Sequence, residues 1–298
     1  MYTLAAYIMR GRVQAVLVSS TLALLSLIFI PFGMLSAASV GLVTLRHGYR
    51  DGLMVILGAS LITGVFVYLS LASISPLWMF VFEYWLPLCF FCWVLDRTNS
   101  LSLTIQLAGI VAVLMVVGMH LFIGDVVAWW IDVLENDVLS VLKEAGLLIE
   151  IDKIERIAGL MTGVVTFGML FICCSSLFIA RSWQAALFNP EGFRKEFLAL
   201  RFDVRLGWVT FSLVGLTFVF SGNVIAMMSA DLLWIVVALT FLQGLAIVHY
   251  SFNHYQTHAL LMAIFYLALI FFLPQLVIVL AVLGYTDLWL DFRKRIVS

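Results

Sequence analysis

The sequence has 298 residues, of which 64% are hydrophobic and 11% are charged, and its formal net charge is −1. Soluble domains are about half apolar and about a quarter charged, so this composition excludes a soluble globular protein. The small net charge provides no broad basic field of the kind that nucleic-acid-binding proteins use. Apolar runs long enough to cross a hydrocarbon core of about 30 Å recur along the chain. The sequence therefore predicts an all-α, polytopic transmembrane helical bundle, with residues 1–298 as one domain.

The apolar runs predict eight to ten membrane segments. In chain order, the first eight are 13–31, 32–45, 53–73, 77–94, 101–123, 157–180, 207–227 and 231–249. A last apolar block, 258–285, contains Pro274, which either kinks one helix or separates two short helices.

Basic residues between the segments predict the orientation, because short cytoplasmic loops carry an excess of Lys and Arg. Arg10, Arg46 and the basic residues of 181–205 fall on one side, which we assign to the cytoplasm. The basic tail 286–298 belongs on the same side. Both termini are therefore predicted to be cytoplasmic, which requires either two short helices around Pro274 or a re-entrant second segment.

One short stretch, 181–205, holds eight of the 33 charged residues. It lies within a predicted cytoplasmic amphipathic loop, 181–206. Asn189 and Pro190 are typical of the N-cap and first position of a helix. The sequence therefore predicts that a helix begins here.

The predicted helix is amphipathic. Phe193, Phe197 and Leu200 recur at helical spacing and form an apolar stripe, whereas Arg194 and Arg201 lie off it. Such a helix suits the membrane surface, with its cations toward anionic lipid headgroups. It either fixes topology alone or docks a partner protein, through Asn189, Pro190, Phe193, Arg194, Phe197 and Arg201.

A polar insert, 125–156, falls on the outer side and contains eight acidic and three basic residues. Apolar residues at helical spacing, with Trp129 and Trp130 as anchors, predict a helix that lies along the outer interface. A lid over an outward-facing cavity is the alternative interpretation.

Three polar residues within the predicted segments are candidates for binding a ligand. Glu83 is the acid that lies deepest in a predicted segment, and a charge there costs at least about 2.5 kcal/mol. It either lines a cavity, lies near one interface, or is protonated and bonded to a neighbour on its helix. Asn223 follows Gly222, as expected of a broken helix that lines a site. Asn223 and Gln243 equally suit interhelical hydrogen bonds.

Small residues recur at a spacing of four in the second segment, at Gly33, Ala37 and Gly41. This pattern allows another helix to approach closely. The partner is either another helix of the same chain or a second subunit.

No pattern in the sequence predicts an enzyme. Cys89 and Cys92 have the spacing of metal ligands, but two phenylalanines separate them and no histidine lies nearby, which favours apolar cysteines. A phosphate-binding loop, a serine nucleophile elbow and a zinc-protease motif are all absent from the sequence. We therefore expect no cofactor and no metal.

Three stretches together resemble a known family. They are PFGMLSAASVGLVTLRHG (31–48), ARSWQAALFNPEGFRKEFLALR (180–201) and LGYTDLWLDFRKR (283–295). They resemble the YybS-like family of predicted bacterial inner-membrane proteins, a domain of unknown function, over nearly the whole chain. The resemblance implies a bacterial inner (cytoplasmic) membrane location. It also marks four residues of the tail: Asp287, Trp289, Asp291 and Arg293.

The family is distantly similar to the substrate-binding S-components of energy-coupling-factor transporters and to the rod-shape protein MreD. The first likeness implies transport-related binding of a small molecule, with Gly33, Ala37 and Gly41 against a transmembrane coupling subunit. The second implies a non-enzymatic scaffold for cell-envelope assembly, which meets partner proteins through the helix 190–205 and the basic tail. Membrane lipids are expected around the protein in both cases.

Overall fold

The computed structural model of this chain describes residues 2–136 and 151–297. Within these ranges the chain is helical and has no strands. Six helices are long and apolar enough to cross a membrane: Tyr49–Leu71, Ser75–Thr98, Leu101–Ile123, Lys153–Phe188, Val224–His254 and Leu273–Leu290. Three shorter apolar helices are Arg12–Ser26, Arg205–Val219 and Ala259–Phe271. The all-helical, multi-pass class is confirmed, whereas the predicted count of eight to ten segments is not.

The helices pack as two compact units. Unit 1 comprises Met1–Ile105 and Phe171–Leu200, and unit 2 comprises Gln106–Leu170 and Arg201–Ser298. The helices that begin in unit 1 are α1 (Tyr2–Ile8), α2 (Arg12–Ser26), α3 (Pro31–His47), α4 (Tyr49–Leu71), α5 (Ser75–Met79), α6 (Leu86–Thr98), α7 (Leu101–Ile123) and α10 (Gly192–Leu198). The remaining helices are α8 (Val126–Leu134), α9 (Ile151–Phe188), α11 (Arg205–Val219), α12 (Val224–His254), α13 (Ala259–Phe271), α14 (Leu273–Leu290) and α15 (Phe292–Val297).

Helix α3 is the most buried helix of unit 1, and its small residues explain why. Gly33, Ala37 and Gly41 are all buried. A Cβ atom at Gly41 would contact Ala180 of α9, and one at Gly33 would contact Tyr84. The small-residue stripe therefore serves packing within unit 1 and is not part of the protein surface.

A π-helical segment, Phe80–Trp85, joins α5 to α6. The amide of Leu86 donates to the carbonyl of Val81, five residues earlier. Pro87 follows and has no amide hydrogen, so the α-helical bond that it would give to Glu83 is missing. The wider turn adapts the helix to this proline. It leaves the side chain of Glu83 exposed.

The four cysteines are free thiols on apolar helices. Cys89, Cys92 and Cys174 are buried, and Cys173 is partly exposed. The hydroxyl of Thr44 donates to the sulfur of Cys89 at 3.5 Å. The described residues contain no group of three or more potential metal ligands.

In unit 2, α12 and α14 touch through their backbones. A Cβ atom at Gly244 would overlap the carbonyl oxygen of Leu280, and one at Gly284 would overlap that of Thr240. Two glycines on facing helices allow this approach, as in the small-residue interfaces of membrane helices.

The predicted amphipathic helix begins later in the structure than its sequence suggests. Helix α9 continues to Phe188, and the amide of Asn189 still donates to the carbonyl of Ala185 at 2.9 Å. Pro190 then ends α9, and α10 begins at Gly192 after Glu191, whose φ is 71°. Asn189 and Pro190 thus form a turn rather than the N-cap and first position of α10.

The apolar stripe of α10 packs inside unit 1. The ring of Phe178 on α9 lies 5.3 Å from that of Phe197 and 5.9 Å from that of Phe193, measured between centroids. Leu200, just after α10, is 0% exposed. The stripe that suited a membrane surface is therefore largely covered by the protein itself.

The outer insert is described only in part. Asp125 caps α8 by accepting a hydrogen bond from the amide of Ala128 at 3.0 Å. The indole of Trp130 donates to the hydroxyl of Thr162 at 2.8 Å, which fixes α8 to α9 within unit 2. The rest of the predicted interfacial helix, residues 137–150, lies outside the described residues. Helix α9 begins at Ile151, earlier than the predicted segment 157–180.

Candidate functional site

A polar cavity of about 270 Å³ lies in unit 1, where the ends of α3, α6 and α9 meet α10. Its polar lining consists of Arg46, Asp96, Asn99, Arg181, Gln184, Asn189 and Glu196. Most of the concave sites in so apolar a chain should be lined by hydrocarbon side chains. A cavity lined by both signs of charge is therefore the strongest candidate for a binding site.

An ion pair between α9 and α10 forms the frame of the cavity. Arg181 binds Glu196 in bidentate fashion, and its Nε donates to Oε2 at 3.0 Å. Arg181 Nη1 also donates to Gln184 Oε1 at 2.7 Å, and Gln184 Nε2 donates to the carbonyl of Leu45 at 2.9 Å. Bidentate arginine–carboxylate pairs fix orientation as well as adding energy. This chain of contacts holds α10 against α9 and α3.

Two charged side chains of the cavity, Arg46 and Asp96, are available to bind a ligand. The guanidinium of Arg46 lies 4.2 Å from the ring centroid of Phe188. Among the described residues, neither Arg46 nor Asp96 forms an ion pair, and both side chains are exposed. The cavity thus offers one cation and one anion to a small molecule, in addition to amide groups.

Breaking the frame should release α10. Glu196→Gln removes a partly buried charge pair, and hydrogen bonds to charged groups contribute about 1.5–3 kcal/mol. We expect trypsin to cleave the variant at Arg194 and Lys195 about tenfold faster than the wild type, as measured by limited proteolysis in detergent.

The matched control lies on the same loop. Glu191 pairs with Lys195 at 3.6 Å, and its side chain is 62% exposed. Exposed pairs contribute little, so Glu191→Gln should leave the cleavage rate nearly unchanged. Equal rates in the two variants would contradict the role assigned to the Arg181–Glu196 pair.

The structure does not bring the three predicted ligand-binding residues together. Glu83 is exposed on the π-helical segment of unit 1. Asn223 is exposed at the position before α12 in unit 2, and Gln243 is fully buried on α12. None of the three lines the polar cavity.

Gln243 belongs instead to a buried network in unit 2. Its Nε2 donates to Asp287 Oδ2 at 2.8 Å, and its Oε1 accepts from the amide of Phe202 at 2.9 Å. Asp287 is 0% exposed and accepts from the amide of Phe292 at 2.7 Å. Arg293 Nη1 lies 3.3 Å from Asp287 Oδ2. The network joins α12, α14, α15 and the chain before α11.

The other marked tail residues complete this attachment. Arg201 Nη1 donates to Asp291 Oδ2 at 2.6 Å, and Lys294 Nζ lies 2.9 Å from the same oxygen. The ring of Trp289 packs edge-on against Tyr285 at 4.9 Å between centroids. Asp287, Asp291, Arg293 and Arg201 thus hold α15 in place, whereas Trp289 packs on its own helix, α14. This arrangement assigns them a structural role.

Acid should weaken this attachment. The hydrogen bond from Lys294, together with the contact to Arg201, holds the pKa of Asp291 below its ordinary value. A depressed carboxyl pKa adds stability that is fully present above the unfolded-state pKa of about 3.9 and is lost as the pH falls through the lower folded-state value. Asp291→Asn should therefore be less stable than the wild type at pH 7, and the two should converge below about pH 4. Thermal unfolding measured across this range tests the prediction, and a difference independent of pH would contradict it.

A second buried polar pair in unit 2 escaped the sequence analysis. His120 Nε2 on α7 lies 2.8 Å from Asp231 Oδ2 on α12, and their side chains are 4% and 7% exposed. The predicted segment 231–249 placed Asp231 at its edge, whereas α12 begins at Val224. Asp231 therefore lies two turns inside the helix, where an acid requires a partner.

Comparisons of this chain with protein-family models, curated proteins and solved structures find no match.

Proposed function

We propose that this chain is a multi-pass protein of the bacterial inner membrane, of the YybS-like kind, that binds a small charged molecule in a transport-related role. The observation that carries the proposal is the polar cavity. Its lining includes Arg46 and Asp96, which are exposed, carry opposite charges and have no ion-pair partner among the described residues. Catalysis plays no part in this proposal.

The lining indicates the chemistry of the ligand. Arg46 suits a carboxylate or phosphate, and Asp96 suits an ammonium or another hydrogen-bond donor. At about 270 Å³, the cavity is near the lower end of the size of small-molecule sites, about 300–1,000 Å³. A small zwitterion fits both properties. The resemblance to S-components supports a link to transport, and the basic residues around the cavity favour the cytoplasmic side under the positive-inside rule.

The test is native mass spectrometry of the protein, extracted gently from its own membrane. We expect a stoichiometric small molecule that is retained by the wild type and lost in Arg46→Gln and in Asp96→Asn. These exposed side chains are not part of the Arg181–Glu196 frame, so the fold should persist. Asp203→Asn, on an exposed pair with Arg205, is the control and should retain the molecule. An empty wild-type protein, or equal retention in all variants, would contradict the proposal.

A scaffold for envelope assembly, similar to MreD, is the second candidate. Arg194 and Lys195 are exposed on α10, and the Arg181–Glu196 pair holds this helix in a fixed orientation. A fixed basic surface suits an acidic partner protein. Photo-crosslinking from α10 in native membranes should then capture a partner in the wild type and lose it in the double variant Arg194→Glu and Lys195→Glu. Capture that persists in this variant would argue against the scaffold.

A further inference from the structure

We propose that an apolar groove between α4 and α6 binds one acyl chain of an anionic phospholipid, whose phosphate contacts Arg97 and Arg50 at the mouth of the groove. The groove belongs to unit 1 and has a volume of about 380 Å³. Its lining includes Tyr49, Leu53, Leu86, Phe90, Trp93 and Arg97. It is separate from the polar cavity and does not depend on the proposed function.

The dimensions of the groove match one leaflet of a bilayer. The lining residues on α6 extend from Leu86 to Arg97, which at 1.5 Å per residue is about 16 Å. Half of the hydrocarbon thickness of a bilayer is about 15 Å. Leu53 and Phe90 are 39% and 42% exposed, so the groove opens on the outer surface of unit 1. An acyl chain that follows α6 can therefore reach from the interface to the middle of the membrane.

Aromatic side chains mark the end of the groove that lies at the headgroups. The rings of Tyr49 and Trp93 meet edge-on at 6.4 Å between centroids. Tyr and Trp are enriched where the hydrocarbon of a membrane meets its headgroups. Arg97 lies one turn beyond Trp93, at the end of α6. The polar end and the apolar end of the groove thus have the order that a phospholipid requires.

The charges at the mouth select an anionic headgroup. Arg97 is exposed and forms no ion pair among the described residues. Arg50 Nε donates to the hydroxyl of Tyr49 at 3.3 Å, which keeps this second cation beside the groove. The nearby acid Asp51 is already paired with Arg12. Because the depth is apolar and the mouth is cationic, a lipid with an acyl chain and a negative headgroup fits better than a soluble anion or a neutral lipid.

Native mass spectrometry of the full chain, delipidated and then titrated with 1-palmitoyl-2-oleoyl-phosphatidylglycerol, tests the proposal. The same titration with the matching phosphatidylcholine tests the headgroup, and glycerol phosphate tests a headgroup without acyl chains. We expect one phosphatidylglycerol to bind in preference to phosphatidylcholine, and glycerol phosphate not to bind. Each basic residue near an anionic lipid contributes about 1 kcal/mol, so Arg97→Gln and Arg50→Gln should each weaken phosphatidylglycerol binding about fivefold.

Substitutions at two leucines of α4 test whether the acyl chain occupies the groove. Leu53→Trp fills the groove and should abolish the one-lipid complex. Leu57 lies one turn further along α4, is 62% exposed and does not line the groove, so Leu57→Trp should bind lipid as the wild type does. Binding that is unchanged in Leu53→Trp and in both arginine variants would overturn the proposal. Equal affinity for the two lipids, or binding of glycerol phosphate alone, would overturn the assignment of an anionic phospholipid.

Discussion

Gly244→Ala is expected to lower the free energy of unfolding by about 3 kcal/mol, the upper end of the usual range for overpacking. The added methyl group would overlap the carbonyl oxygen of Leu280 on α14. A backbone atom cannot rotate away as a flexible side chain can, so α12 and α14 would have to separate. Gly284→Ala should act similarly, because its methyl group would overlap the carbonyl of Thr240.

Thermal unfolding in detergent, followed by tryptophan fluorescence, measures this effect. Gly215 on α11 is the matched control, because a Cβ atom there has no neighbour within 4 Å. Gly215→Ala should be neutral or stabilising by up to about 1 kcal/mol, since alanine favours helices more than glycine does. If Gly244→Ala unfolded at the same temperature as Gly215→Ala, the close contact between α12 and α14 would be refuted.

The second large effect is expected for Asp287→Ala, at about 3–5 kcal/mol. Asp287 is fully buried and accepts hydrogen bonds from Gln243 and from the amide of Phe292, and it is paired with Arg293. Its removal leaves a guanidinium whose side chain is only 12% exposed without this carboxylate. Removing one partner of a buried ion pair is far more costly than forming the pair is favourable, and the hydrogen bonds from Gln243 and the Phe292 amide are lost as well.

A double variant separates the charge from the packing. Asp287→Ala combined with Arg293→Met removes both ions, so it should recover part of the stability lost in Asp287→Ala alone. Chemical unfolding of the two variants and the wild type gives the comparison. A double variant that is less stable than Asp287→Ala would show that Arg293 stabilises the tail through other contacts.

Hydropathy predicted the apolar helices well but their ends less well. The predicted segment 101–123 coincides with α7, and the last apolar block divides into α13 and α14 on either side of Phe272. Helix α9 continues eight residues beyond the predicted end at 180, because its last turns carry Arg181 and Gln184, which find partners within the protein. A hydropathy scale records these residues as polar and cannot anticipate their partners.

The candidate site was predictable only in part. The density of charge in 181–205 pointed to the correct stretch, and five residues of that stretch line the polar cavity. Arg46 served only to orient the chain, and Asp96 was not singled out, because each is a charge at the end of an apolar run. The hydrogen bond from Gln184 to Leu45 spans 139 residues. No periodicity or local spacing encodes a contact at such a separation, so the cavity emerges only from the packed structure.

The location of the cysteines in apolar helices has a practical consequence for experiments that map the membrane topology. Three of the four thiols are buried and the fourth is only partly exposed, so a water-soluble maleimide should label the native chain weakly. A cysteine introduced at exposed Thr98, the last residue of α6, or at exposed Ser221, between α11 and α12, would then dominate the labelling. In intact cells, a membrane-impermeant maleimide would react with the residue that faces outward. The native protein is therefore already a suitable background for mapping which side of the membrane each loop occupies.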